Sequence, residues 1–129
     1  MMLRLANTIG LAIAGIINLL PVSGVLGPSW LKALYGFDIA SADLEILLRH
    51  RALLFGIVGF LLLISILKPA LRSLAALVGL ASMSSFIVVA LVVGSYGPAI
   101  HKIILADIIG IAALAPVAFN VLFSSSRSE

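Results

Sequence analysis

Hydrophobic residues fill four long stretches of the chain, and each stretch contains only a few polar positions. The stretches cover roughly 3–20, 43–67, 70–93 and 98–123. The hydrocarbon core of a membrane is ~30 Å thick, and about 20 helical residues are needed to cross it. Each stretch is therefore predicted to form a membrane-spanning helix.

Proline and glycine mark the ends of these stretches. Pro21 closes the first, and Gly94 follows the third. Pro69 and Pro98 stand where a helix could begin, which suits proline at the first helical turn. Pro116 lies inside the fourth stretch and is expected to bend that helix.

The long connection 21–42 has a periodic centre, "PSWLKALYGF". This pattern predicts a short amphipathic helix at the membrane surface, with Trp30 and Tyr35 at the level of the headgroups. An irregular loop folded over the bundle is the alternative. The predicted fold is all-α: one domain, 1–129, forming a four-helix transmembrane bundle with a short interfacial helix in the first extracytoplasmic loop.

The composition supports a membrane location. Of 129 residues, 63% are hydrophobic and 10% are charged, with a mean hydropathy of +1.30. So few charged side chains cannot cover the surface of a soluble domain of this size. The formal charge of +3 is scattered, so a nucleic-acid partner is not expected. Without cysteine the chain has no disulfides and no thiolate metal ligands.

The basic residues predict an orientation. If both termini share one side, that side carries Arg4, Lys68, Arg72 and Arg127. Lys32 and Lys102 lie opposite. Because positive charge concentrates in cytoplasmic segments, both termini are predicted to face the cytoplasm. The expected location is a bacterial inner membrane, crossed several times.

Polar and charged residues meet in one predicted layer near the outer membrane boundary. Helical rise puts Asp107 level with Arg51, ~24 Å above the cytoplasmic helix ends. The candidate residues of this charge layer, whether structural or ligand-binding, are Asn18, Glu45, Arg49, His50, His101 and Asp107.

Helical phase predicts which arginine faces the bundle. Glu45 and Arg49 share a face with the small residues Ala52, Gly56 and Gly59. Small residues mark faces on which membrane helices approach closely, so Arg49 is expected to point inward. We expect it within hydrogen-bonding reach of Glu45 or Asp107. Arg51 is expected to reach the headgroups.

The layer has two interpretations. Either a salt bridge fixes the order of the helices, or ionisable groups at this depth serve a ligand or a proton. A ligand would require a cavity among the first, second and fourth long helices, beneath 21–42. Asn18, Arg49 and Asp107 would line its polar end. The space would be left by small residues, namely Ala14, Ala52, Gly56 and Gly110.

Motifs for metals and nucleotides are absent from the sequence. His50 and His101 lack the spacing of a helical metal site, so no metal is predicted. No nucleophile elbow, Walker loop or dinucleotide fingerprint occurs. No cofactor is predicted, although a quinone is compatible with the apolar setting.

Several segments carry a resemblance: "INLLPVSGVLG", "LYGF", "LEILLRHRALLFGIVG" and "ILADIIG". Over nearly its whole length the chain resembles small four-helix bacterial membrane proteins of the DoxX-like superfamily, most specifically at 47–59. The resemblance implies a four-helix bundle in a bacterial inner membrane, and some DoxX-like proteins are subunits of quinone-linked oxidoreductases. Some similar chains are labelled phosphopantetheine adenylyltransferase. The soluble adenylyltransferases use a T-x-G-H turn on an α/β sheet, and this sequence has neither.

Three functions stay open at this level. The first is binding of a lipophilic ligand (a quinone, isoprenoid or lipid) through the charge layer. The second is an accessory subunit or homo-oligomer that packs through Gly56, Gly59, Gly79 and Gly110. The third is a membrane enzyme acting on a lipid, with Asp107 or Glu45 as acid or base; the sequence leaves open whether any reaction occurs. Membrane lipids are the expected partners in each case.

Overall fold

Every regular element in the computed structural model, which describes residues 1–125, is helical. The five α-helices are α1 (Met2–Leu19), α2 (Pro28–Tyr35), α3 (Ala42–Leu67), α4 (Arg72–Val93) and α5 (Pro98–Ser125). Short 3₁₀ segments cover Leu20–Leu26 and Pro69–Leu71. The predicted all-α fold with four long helices is confirmed; Arg127, used in the charge argument, lies outside the described residues.

The helix ends follow local sequence chemistry. Pro28 and Pro98 open α2 and α5, where no intrahelical N–H is needed. Ser41 caps α3, since its Oγ accepts a hydrogen bond of 3.2 Å from the Leu44 N–H. Gly36 ends α2 in the left-handed region, at φ 78°, and returns its N–H to the Lys32 carbonyl.

The four long helices form an antiparallel, up-down-up-down bundle. Each packs mainly against two others: α1 lies between α3 and α5, and α4 contacts both α3 and α5 from the opposite side. The contacts between residues show which helices are neighbours. Gly59 on α3 lies against Leu19 and Gly15 of α1, and Gly79 on α4 lies against Leu62 of α3 and Leu114 of α5. The order around the bundle therefore follows the order along the chain, as short connections require.

The outward faces of the bundle are strongly apolar. Large hydrophobic side chains point away from the bundle on every long helix; examples are Ile16, Ile57, Phe60, Leu77, Val92 and Phe119. Four helices are long and apolar enough to cross a membrane. Such a surface is costly in water and matches the hydrocarbon of a bilayer, which indicates a multi-pass membrane protein.

The interior divides into a filled part and an open part. Towards the end with the N-terminus, the core is packed around Leu11, Leu62, Met83 and Leu114. At the opposite end the first 3₁₀ segment and α2 fold over the helices, and the interior there is not filled. A short helix is present in 21–42, and it covers the end of the bundle that holds the candidate site; its location at the membrane surface stays a prediction.

Candidate functional site

A cavity of about 570 Å³ lies beneath α2. Its walls come from the end of α1, the first 3₁₀ segment, α2, α3 and the first half of α5. Most wall residues are apolar, including Ile17, Leu34, Phe55, Ile103 and Ala106. Its polar residues are Asn18, Tyr35, Arg51, Lys102 and Asp107. The cavity thus has the predicted position, among α1, α3 and α5 and under the 21–42 segment.

Asn18 is held in a fixed orientation near the end of α1. The residue is 2% exposed, and its Nδ2 donates to the Ala14 carbonyl at 2.9 Å. Its donor group is therefore used within its own helix. The Oδ1 atom is buried without a hydrogen-bond partner, and the residue lines the cavity.

Asp107 lies on the opposite wall, in α5. It is 4% exposed, and its Oδ2 is buried without a hydrogen-bond partner. Arg51 is the cation whose charge acts on this carboxylate. Asp107 and Arg51, which were predicted at the same level, line the same cavity.

Tyr35 lines the cavity and is buried, unlike Trp30 on the same helix. Tyr35 is 4% exposed whereas Trp30 is 49% exposed, and the predicted headgroup level of the two residues stays a prediction. Leu31 and Tyr35, four positions apart, share the face of α2 that packs down, and Trp30 lies on the other face. The Tyr35 hydroxyl has no hydrogen-bond partner. Burial raises the pKa of this hydroxyl above its usual 10.0, and the charge of Arg51 opposes the rise.

Arg51 is surrounded by aromatic rings. Its Cζ lies 5.6 Å from the ring centre of Tyr35, 5.0 Å from that of Phe55 and 4.6 Å from that of Phe86. A guanidinium over a ring face is attracted by the ring quadrupole, more strongly where water is excluded. The rings hold the cation in place, yet they accept none of its N–H groups as a carboxylate would. Arg51 forms no ion pair within the described part of the chain.

The prediction that Arg49 is the inward arginine is wrong. Arg49 is exposed and bonds to Glu45 on its own helix, at 2.9 Å, so the Glu45 pairing is confirmed but not the orientation. The small-residue face of α3 packs against α1 and ends at Ala52, one turn below Arg49. A helix in this bundle has a second packed face, towards α4. Arg51, Phe55 and Leu62 lie on that second face.

The two histidines lie away from the cavity. His50 and His101 are both exposed, and neither contributes to the cavity wall. Of the six residues predicted for the layer, the structure therefore brings together only Asn18 and Asp107. Among residues 1–125, no three His, Asp or Glu side chains are grouped closely enough to hold a metal ion.

The four small residues that were predicted to leave the cavity space do not line the cavity, which corrects the prediction. An added Cβ at Gly110 would collide with the Met83 Sδ, and one at Gly56 would meet Val22 Cγ2 at 3.0 Å. Ala14 and Ala52 are fully buried and belong to helix contacts outside the cavity. The space arises instead because α2 spans the bundle end without filling it.

A second, shallower space of about 360 Å³ lies between α3 and α4. We call it the α3–α4 groove; its residues are Arg51, Leu54, Phe55, Val58, Ser82, Ser85, Phe86 and Val89. Arg51 and Phe55 line both the groove and the cavity. The Ser85 hydroxyl already donates to the Ser82 carbonyl, so the groove presents a mainly apolar wall. Its only signal in the sequence is the helical spacing of Arg51, Phe55 and Val58.

Sequence reasoning missed Tyr35, Phe55 and Lys102 as cavity residues. A signal for Tyr35 existed in its spacing from Leu31. A signal for Lys102 existed in its position about one turn before Ala106 and Asp107 on α5, which places it on the same face of the helix. Comparison of the chain with protein families, with curated proteins and with solved structures gave no match.

Proposed function

We propose that this membrane protein binds a lipophilic ligand (a quinone, an isoprenoid or a lipid) in the cavity beneath α2. The observation that carries the proposal concerns three residues that line one cavity, namely Asn18, Tyr35 and Asp107. Each of them has a buried side-chain oxygen atom without a hydrogen-bond partner. Buried polar atoms nearly always have a hydrogen-bond partner, and each one left without a partner costs about 1–3 kcal/mol.

The size and character of the cavity favour an organic ligand over a few waters. A buried water occupies ~30 Å³, and the cavity of about 570 Å³ is many times larger. Its volume falls in the range of ~300–1,000 Å³ that is usual for small-molecule sites. Mostly apolar walls with a few convergent polar groups are also the usual character of such sites. A lipophilic molecule would cover the apolar wall and satisfy the polar atoms together.

The accessory-subunit hypothesis loses its proposed contact surface. Gly59, Gly79 and Gly110 are buried against neighbouring helices of the same chain, and Gly56 lies against Val22. These small residues are therefore used within the bundle. The ligand hypothesis keeps its two best-defined residues, Asn18 and Asp107.

The orientation of the chain is part of the proposal. We place both termini on the cytoplasmic side of a bacterial inner membrane and α2 at the outer surface. Trp30 and Phe37 are exposed on the α2 side, and Lys32 pairs with Asp38 at 2.7 Å in an exposed position. Aromatic and charged groups side by side are typical of the headgroup region. Trp30 is the only tryptophan, so shallow brominated lipids should quench its fluorescence more than deeply brominated ones.

A cavity-filling variant tests the function. Ala106 lines the cavity, and Ala106→Phe should exclude a bound molecule. Wild-type protein in nanodiscs is expected to retain a co-purifying lipophile in native mass spectrometry. The variant should retain about tenfold less, because a filled cavity removes most of the binding contacts.

A matched control lies on the same helix. Ala112 is exposed on α5 and does not line the cavity, so Ala112→Phe should retain the lipophile as the wild type does. The proposal is rejected if no lipophile co-purifies with any of the three proteins. It is also rejected if Ala106→Phe retains as much of it as Ala112→Phe.

A further inference from the structure

The chemistry of the cavity wall narrows the class of ligand. Arg51 and Lys102 are positive and Asp107 is negative, so the ionised wall carries one net positive charge. The Arg51 guanidinium is held over three rings and forms no direct ion pair among residues 1–125, although the charge of Asp107 acts on it beyond ion-pair distance. A cation at membrane depth is costly, and a guanidinium binds carboxylate or phosphate oxygens in a bidentate manner. These features favour an anionic head.

The oxygen atoms without a hydrogen-bond partner require a second property of the ligand head. Asn18 Oδ1 and Asp107 Oδ2 are acceptors, and a carboxylate or phosphate alone has no hydrogen to donate to them. The head must therefore also carry hydrogen-bond donors, and hydroxyl groups supply them without adding positive charge beside Arg51 and Lys102. A fatty carboxylate lacks them, whereas a glycerol-bearing phosphate has both kinds of group.

The α3–α4 groove supplies a place for an apolar chain. It begins at Arg51 and Phe55, which also line the cavity, and it runs along α3 to Val58. Seven residues of α-helix correspond to about 10 Å. The groove therefore leads from the charged level towards the middle of the bundle, parallel to the acyl chains of a surrounding bilayer. Its volume is about 360 Å³.

We propose that the ligand is a single-chain lipid with a hydroxylated anionic head. The head lies in the cavity, with its anionic oxygens on Arg51 and its hydroxyls towards Asn18 and Asp107. The chain passes Phe55 and lies in the α3–α4 groove. This inference rests on the proposed function, because it describes the occupant of the same cavity.

Photo-crosslinking tests the placement of the chain. The probe is a lysophosphatidylglycerol with a diazirine at the end of its acyl chain, added to the full-length protein in phosphatidylcholine nanodiscs. Mapped crosslinks are expected on groove residues such as Leu54, Val58 and Val89. Crosslinks on Leu20 and Ile103, at the α1–α5 side, would overturn the groove placement. So would an even distribution over outward residues such as Ile57.

An adjacent pair of serines provides the matched variants. Ser85 lines the groove, whereas its neighbour Ser84 does not, and both are exposed, so neither replacement disturbs the core. Ser85→Trp should lower crosslinking by about tenfold, the loss expected when roughly two methylene contacts are removed. Ser84→Trp should leave it unchanged. Equal crosslinking of the two variants would overturn the groove placement.

Competition tests the head. Unlabelled lysophosphatidylglycerol should displace the probe, and the methyl ester of a fatty acid with the same chain should not. If the ester competes equally well, the assignment of a hydroxylated anionic head is wrong.

These outcomes distinguish failure of the ligand class from failure of the proposed function. If the crosslinking or competition result is negative but Ala106→Phe still lowers retention of a native lipophile, only the ligand class is rejected. Unchanged retention in Ala106→Phe rejects the proposed function itself.

Discussion

Arg49 and Arg51 are two residues apart on α3, and this separation rotates their side chains by about 200°. Arg49 reaches out to Glu45, whereas Arg51 enters the bundle and contacts the rings of Tyr35, Phe55 and Phe86. An exposed pair one turn apart contributes about 0.3–0.5 kcal/mol to helix stability. A cation held over rings away from water contributes about 2 kcal/mol or more.

The first prediction compares the two arginines. Arg51→Gln should reduce the free energy of unfolding in detergent by about 1–3 kcal/mol, because it removes the ring contacts and leaves Asp107 buried without a nearby cation. Arg49→Gln should cost about 0.5 kcal/mol or less. Denaturant titration of the two variants measures both values. Equal losses of stability in the two variants would show that the ring contacts of Arg51 do not stabilise the fold.

The second prediction concerns Tyr35, whose hydroxyl is buried without a partner. In ligand-free protein at neutral pH, Tyr35→Phe should leave stability unchanged or raise it by up to about 1 kcal/mol, because an unsatisfied group is removed. Burial raises the pKa of this hydroxyl in the folded protein above its value in the unfolded chain. The folded protein therefore has its full stability below the unfolded-state pKa, and it loses stability as the pH rises through the folded-state pKa.

The measurement is thermal unfolding of both proteins from about pH 8 to about pH 11, which spans the ordinary tyrosine pKa of about 10. The wild type should lose stability at the alkaline end, and Tyr35→Phe should lose less. Parallel curves for the two proteins would contradict a buried Tyr35 hydroxyl.

At the scale of helices, glycine decides how closely α1 approaches its neighbours. An added Cβ at Gly59 would come within 2.9 Å of the Gly15 carbonyl oxygen, and one at Gly10 would collide with the Ala113 carbonyl oxygen on α5. Backbone at the contact cannot rotate away as a side chain can. These helix pairs therefore depend on the absence of a side chain, as is usual for close contacts in membranes.

Gly10→Ala is accordingly predicted to push α1 away from α5 and to reduce the free energy of unfolding by about 1–3 kcal/mol. Gly97 serves as the control, because an added Cβ there meets nothing within 4 Å and its φ is not in the left-handed region. Gly97→Ala should change stability by less than about 0.5 kcal/mol. The close packing of α1 on α5 would be disproved by a harmless Gly10→Ala.

The extent of each helix could be predicted from sequence because length, prolines and hydropathy report directly on a membrane span. The proximity of Asp107 and Arg51 could also be predicted, since helical rise is constant. The rotation of α3 could not be derived in full. A helix in a four-helix bundle has two packed faces, and small residues marked only the one against α1. The burial of Tyr35 was not predicted because α2 has two apolar faces, one towards the cavity and one towards the outside.

In the molecule as a whole, the two ends of the bundle differ in how closely they are packed. The end with the N-terminus is packed around Leu62, Met83 and Leu114 and joined by a hydrogen bond of 2.8 Å between Asn120 and Asn7. The opposite end holds the cavity under a short helix. Stability is thus concentrated away from the site, which leaves the site end free to contain unpartnered polar atoms.

The proposed orientation makes a direct prediction. The chain has no cysteine, so single cysteines can be introduced as Met2→Cys and Ala40→Cys without background. In intact cells, a membrane-impermeant maleimide should label position 40 and label position 2 only after the membrane is opened. Labelling of both positions from outside would contradict the four-span topology.

The proposed function requires that a ligand satisfies the buried oxygens of Asn18, Tyr35 and Asp107. A crystal structure of the protein grown from a lipid mesophase, without prior delipidation, tests this requirement. Elongated non-protein density is expected in the cavity, with polar atoms within hydrogen-bonding distance of Asn18 Oδ1 and Asp107 Oδ2. A cavity that contains only ordered waters bonded to all three oxygens would contradict it.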